Sequence, residues 1–218
     1  TSTAQMLSLG MSREAIRWYA KIGDLLPERR GLCRLAGTPD LPEQPVMAAI
    51  LAAGPDAAAA GWTAGALLGM PKAGLAVPVC LTATRQLRMA GVEYHRPATV
   101  VLDRDLTVRR NIPTTGAARA LCDNVRFMDA SLVQPWVDHA IRKRLETPAT
   151  LDETCSRFER VGARKIEIVR AAIERIVPGQ EKTDDDWEVE ALRVIAAAGL
   201  PQPVVQLKVT MRGRQFTI

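Results

Sequence analysis

No stretch of this 218-residue sequence approaches the roughly 18 consecutive apolar residues that a membrane-spanning helix needs. The nearest candidate, the alanine-rich run at 46–60, is interrupted by Gly54, Pro55 and Asp56. No secretory leader is recognisable, although the chain opens on Thr1 rather than Met. Cysteine is scarce. Cys33, Cys80, Cys122 and Cys155 include no Cys-x-x-Cys pair, which argues against a zinc site. The expectation is four reduced thiols in a cytoplasmic protein that stays off membranes. Histidine is scarcer still. His95 and His139 stand in neither a Ser-His-Asp nor a metal-ligand spacing. Residues 65–69 lack the Gly-Lys-Ser/Thr sequel of a phosphate-binding loop. There is no internal repeat. These absences leave no catalytic residue, metal ligand or cofactor to nominate.

What is present is an ordinary globular composition, 47% hydrophobic and 24% charged. That length suits one large domain or two to three small ones. The 29 Lys and Arg outnumber the 24 Asp and Glu, and a net charge of +5 leans weakly toward an anionic partner. Punctuation by Gly and Pro divides the chain into 1–40, 41–179 and 180–218. The expected class is α+β: an N-terminal winged helix-turn-helix, a mixed α/β middle domain and a C-terminal helix plus hairpin. Helices are expected at 45–53, 62–70, 114–125, 132–144, 151–161 and 164–176. A further helix, capped by Asp184 or Asp185, should run to 198. Strands are expected at 77–83, 92–95 and 106–108, and a hairpin at 204–210 and 215–218.

The sharpest signal lies in the first zone. Ser2-Thr3 can cap a helix through Leu9, and Gly10 can end it. Ser12 can cap a second helix to about Ile22, with Ile16, Tyr19 and Ala20 at apolar i, i+3, i+4 spacing. Helix, glycine turn and Ser-capped helix within 23 residues is helix-turn-helix spacing. Residues 25–35 then suggest two short strands around a basic turn, where a wing would lie. On the second helix Arg13, Arg17 and Lys21 recur every four residues. Like charges so placed cost roughly 0.2–0.5 kcal/mol per pair, a cost that a polyanion reverses. Arginine suits guanine in the major groove and lysine suits phosphate. Trp18 could stack on sugar or base, or simply pack. Arg29, Arg30 and Arg34 on or beside the wing would reach phosphate or the minor groove. Residues 12–34 hold six basic residues against Glu14, Asp24 and Glu28, a net of +3. The plainer alternative is a solvated basic helix.

Two other clusters carry less. Arg142, Lys143 and Arg144, near His139, could add a phosphate contact or merely complement a helix C-terminus. The acids at 184–190 invite a metal reading, yet acids in a first helical turn are stabilised without one.

Taken in order, several segments resemble the AbiEi-type antitoxin family of actinobacteria and their phages. Residues 3–16 look like the second and third helices of its winged helix, and residues 31–37 like the end of its wing. Residues 46–55, 64–69 and 112–123 continue the resemblance. It implies a transcriptional regulator that binds double-stranded DNA, often a repressor of its own operon paired with a nucleotidyltransferase-type toxin. Residues 185–188, 198–203 and 216–218 are similar to the start of very-short-patch-repair-like endonuclease domains, with Glu188 at the helix glutamate. The catalytic aspartate of that family would follow Ile218, so this segment is an incomplete nuclease and no enzyme is expected. The alternatives are a PD-(D/E)xK-like nuclease cut before its catalytic residues, and a toxin-binding module. A monomer and a homodimer are both compatible with the sequence.

Overall fold

Both ends of the first helix are dictated by their flanking residues. Ser2 Oγ accepts from the Gln5 N–H, and the Gln5 side chain accepts from the Ser2 N–H, a capping box that opens α1 (Thr3–Ser8). Gly10, at φ +90°, turns the chain. Ser12 Oγ then accepts from the Ala15 N–H at 3.1 Å and opens α2 (Arg13–Ile22), which ends at left-handed Gly23. Strands β1 (Leu25–Arg29) and β2 (Leu32–Leu35) form an antiparallel hairpin, with a register shift between Pro27 and Arg29. The segment before α1 joins this hairpin. Ser2 bridges Leu32, Thr1 exchanges backbone hydrogen bonds with Cys33, and the Thr3 N–H reaches the Gly31 carbonyl at 2.8 Å. Met6, Ile16 and Leu25 are buried together, flanked by Leu7, Met11, Ala20 and Cys33.

The structure is a computed structural model, and it describes residues 1–76, 78–83, 88–95, 97, 99, 101–183, 186–211 and 214–217. The class is α+β. Beyond the hairpin come α3 (Gln44–Ala53), β3 (Ala58–Ala59), α4 (Gly61–Leu67), β4 (Val79–Thr82), β5 (Val92–Tyr94), β6 (Leu106–Arg109) and β7 (Ile112–Thr115). These strands make a mixed sheet in the order β5-β4-β3-β7-β6. The β3–β7 and β4–β5 pairs are parallel, whereas β3–β4 and β6–β7 are antiparallel. Val46, Ala49 and Ile50 of α3 are buried with Ala59, Val79, Leu81 and Ile112 of the sheet. This first compact unit comprises Thr1–Leu68, Ala73–Pro97 and Val101–Thr115.

The second unit comprises Gly69–Lys72, Ala98–Val100 and Gly116–Ile218. It contains α5 (Ala117–Asn124), α6 (Val133–Arg142), α7 (Pro148–Arg160), α8 (Ile166–Glu174), α9 (Asp186–Ala197) and a hairpin of β8 (Lys208–Met211) and β9 (Arg214–Thr217). Helix α7 lies against α5 and α8, and α6 lies against α8. Trp136, Leu151, Phe158 and Val169 are sealed in their core. The Trp136 indole N–H donates to the Pro71 carbonyl at 3.0 Å. Ala118, Leu121 and Cys122 face inward as their spacing predicts.

Several local expectations are corrected. Residues 114 and 115 are strand, and the helix starts only after Gly116. Thr114 pairs with Ala59 in the middle of the sheet, which overrides the helical pattern. Ala58–Ala59 was invisible as a strand because neither residue is β-branched. Tyr19 is 38% exposed rather than inward, and it packs edge-on against Trp18. Residues 204–207 precede the last hairpin rather than forming part of it. Val77, the Asp184 or Asp185 cap, the Arg212-Gly213 turn and Ile218 lie outside the described residues.

Candidate nucleic-acid interface

The capped length of α2 decides what it presents. At 3.6 residues per turn, Arg13, Arg17 and Lys21 fall within an arc of about 80°, with Trp18 about 60° beyond Lys21. Ile16 is buried against Met6 and Leu25, which turns this arc outward. Ser12, Arg13, Arg17, Trp18 and Lys21 are all exposed, Trp18 by 55%. Arg13, Arg17 and Lys21 make no hydrogen bond or ion pair among the described residues. Glu14 lies beside the arc in the first turn. Its carboxyl is held below the usual range by a hydrogen bond from its own backbone N–H and then by one from Ser12, with Arg17 and Arg13 adding attraction. In the sequence Glu14 figures only as an opposing charge. An ionised carboxylate here is also an acceptor, of the kind that can accept a hydrogen bond from the cytosine N4 amino group.

The three wing arginines separate into different roles. Arg30 is exposed at the hairpin turn beside Gly31, with no partner among the described residues. Arg34 is half-buried, forms an ion pair with Asp40 and points a second N–H toward Gln44 at 3.4 Å. Arg29, also half-buried, donates through Nη1 to the Ala90 carbonyl at 3.1 Å. Arg30 therefore leaves its guanidinium open to a phosphate, while Arg29 and Arg34 already hold protein acceptors.

Arg142, Lys143 and Arg144 belong to the second unit. Arg142 ends α6 with a half-buried side chain, Lys143 is its exposed C-cap, and Arg144 is exposed with a left-handed backbone, φ +53°. Arg144 lines a cleft with Glu146, Thr147, Ile176, Val177 and Glu181. The two carboxylates temper its positive charge. Glu188 on α9 lies 3.4 Å from the Gln206 amide. Among the described residues no three His, Cys, Asp or Glu side chains gather as a metal site would require, and no helix is long and apolar enough to cross a membrane.

No protein-family model matches the chain, and no curated protein is similar to it in sequence. The fold is similar to the crystal structure of the Rv2827c protein from Mycobacterium tuberculosis. The TM-score is 0.51 at 15% identity, over 85% of this chain and 77% of that one. At that identity the likeness concerns the fold alone.

Proposed function

We propose that this chain is a sequence-specific regulator that binds double-stranded DNA, with residues 1–40 as a winged helix-turn-helix. The observation that carries the proposal is the outward arc of Arg13, Arg17 and Lys21, which make no hydrogen bond or ion pair among the described residues, on a helix capped at both ends. In this reading α2 enters the major groove, Arg17 and Glu14 meet base edges, and Ser12, Arg13 and Lys21 meet phosphate. Trp18 packs on the sugar–phosphate edge, and Arg30 brings the wing to the neighbouring backbone. Two further observations agree with it: the strand pairing of Thr1–Thr3 with the hairpin, and the ordered resemblance to AbiEi-type antitoxins. The role that follows is a non-enzymatic, cytoplasmic repressor of its own operon, with a toxin as its genetic neighbour and paired half-sites favouring a dimer on DNA.

The test is fluorescence anisotropy with duplexes from the region upstream of the gene and with random duplexes, at about 50 and about 200 mM salt. A specific repressor prefers one upstream duplex by about 1,000-fold or more and loses affinity steeply as salt rises. Equal binding to all duplexes would sink the specific-repressor reading, and no binding would sink DNA recognition altogether.

A further inference from the structure

We infer that the DNA-binding surface extends from the wing onto residues 88–91, just before β5, with Arg88 as a phosphate contact and Arg29 as the strut that positions it. This rests on the DNA-binding reading of α2. Arg29 is spent on the protein: its Nη1 donates to the Ala90 carbonyl at 3.1 Å, 61 residues away in sequence. That bond ties the β1 end of the wing hairpin to the segment just before β5. Two backbone bonds also hold this segment, one from β4 and one closing a local turn. The Val79 N–H donates to the Gly91 carbonyl at 2.8 Å, and the Val92 N–H to the Met89 carbonyl at 3.2 Å. Residues 89–91 are thus clamped between the sheet and the wing.

Arg88 stands two residues before the carbonyl that Arg29 holds. It is exposed and has no hydrogen bond or ion pair among the described residues. The acids of the two segments, Glu28 and Glu93, are both exposed, and neither forms an ion pair with Arg88 among the described residues. Arg88, exposed and two residues from the carbonyl that Arg29 holds, extends the positive surface begun by Arg30. Backbone contacts of this kind set orientation and affinity without reading sequence. Arg29 acts differently. A guanidinium is planar and donates in a fixed fork, so one N–H can hold a carbonyl while the charge stays near the surface. Its part is to keep residues 88–91 against the hairpin.

The experiment measures duplex affinity and its salt slope for the whole chain and for R17A, R88A, R29M, the R29M/R88A double variant, and R164A, an exposed arginine of the second unit, as control. Circular dichroism and Tm establish that each variant is folded. R88A is expected to weaken specific and random duplexes alike, by about fivefold near physiological salt, and to lower the salt slope by about 0.9. R29M is expected to weaken binding in the wild-type background and to add nothing once Arg88 is gone. R164A is expected to match the wild type. If R17A weakens binding while R88A leaves affinity and slope unchanged, the extension is overturned and the helix reading stands. If R29M and R88A effects simply add, Arg29 is itself a phosphate contact and the strut is overturned. If the wild type binds no duplex, the helix reading falls and the extension with it.

Discussion

Arg119 and Asp123 stand one turn apart on α5, joined Nε to Oδ2 at 2.8 Å, with both side chains almost wholly withdrawn from solvent. The guanidinium spends its other donors on Thr99, at 2.7 Å to Oγ1 and 3.0 Å to the carbonyl, and lies 4.9 Å over the Phe158 ring. Removing one partner of a buried pair strands the other's charge. Arg119→Met should therefore lower the unfolding free energy by about 3–5 kcal/mol. The double variant Arg119→Met, Asp123→Leu should recover most of that loss. Urea melts of both variants decide the matter, and equal destabilisation by the two would show that the pair is not the cause.

On α2, loss of a base contact and loss of a phosphate contact have different signatures. Arg17→Ala should cost about 1–3 kcal/mol on the preferred duplex and little on random DNA. Arg30→Ala should weaken both alike and reduce the salt slope by about 1. Anisotropy titrations on both duplexes at several salt concentrations separate these outcomes. A uniform effect of Arg17→Ala would move that residue from base to backbone.

Asp138 of α6 gathers three donors onto one oxygen: Gln134 Nε2 at 2.9 Å, Gln180 Nε2 at 2.8 Å and Arg193 Nη2 at 2.6 Å. It thereby pins α9 and the short 3₁₀ segment at Gln180–Lys182 to α6. Asp138→Ala should cost about 1.5–3 kcal/mol, the range for hydrogen bonds to a charged group. Hydrogen exchange should accelerate in residues 187–197 ahead of α5 and α7. Uniform acceleration across all three helices would argue against a local pin.

Arg170 joins α8 to α7 by ion pairs with Asp152 and Glu159 and a hydrogen bond to Ser156 at 2.8 Å. The hydrogen bond from Arg170 holds the Glu159 carboxyl below its ordinary value of 4.5. The unfolded chain therefore takes up this proton at higher pH than the folded chain. The contribution is fully present above pH 4.5 and fades as pH falls through the folded value. Glu159→Gln should lower Tm at neutral pH, and its difference from the wild type should shrink in acid. A Tm difference independent of pH would separate the effect from ionisation.

None of the four cysteines is in a disulfide, but their surroundings differ. Cys122 and Cys155 are buried with their sulfurs 4.0 Å apart. The hydrogen bond with Cys155, then burial, pushes the Cys122 thiol well above its ordinary value. Only thiolates react quickly with aromatic disulfide reagents. In the native protein Cys33 and Cys80, both half-buried, should react first. Cys122 and Cys155 should follow only on unfolding. Rapid labelling of all four would contradict this burial.

The two capped N-terminal helices and their basic arc were legible in the sequence because they rest on neighbours three and four residues apart. Ser2 with Gln5, Ser12 with Ala15, and the glycines at 10 and 23 act over one turn, so their chemistry is local. The inward face of α5 was legible for the same reason. The fate of the wing arginines was not, since Arg29 meets a carbonyl 61 residues away and Arg34 is claimed by the loop leading to α3. The strands at 58–59 and 112–115 were hidden likewise, because each is defined by its partner across the sheet rather than by its own residues. The sequence by itself determined which side chains could meet a polyanion. Only the tertiary structure decided which of them are left open to do so, because an arginine's freedom depends on acceptors that folding brings to it.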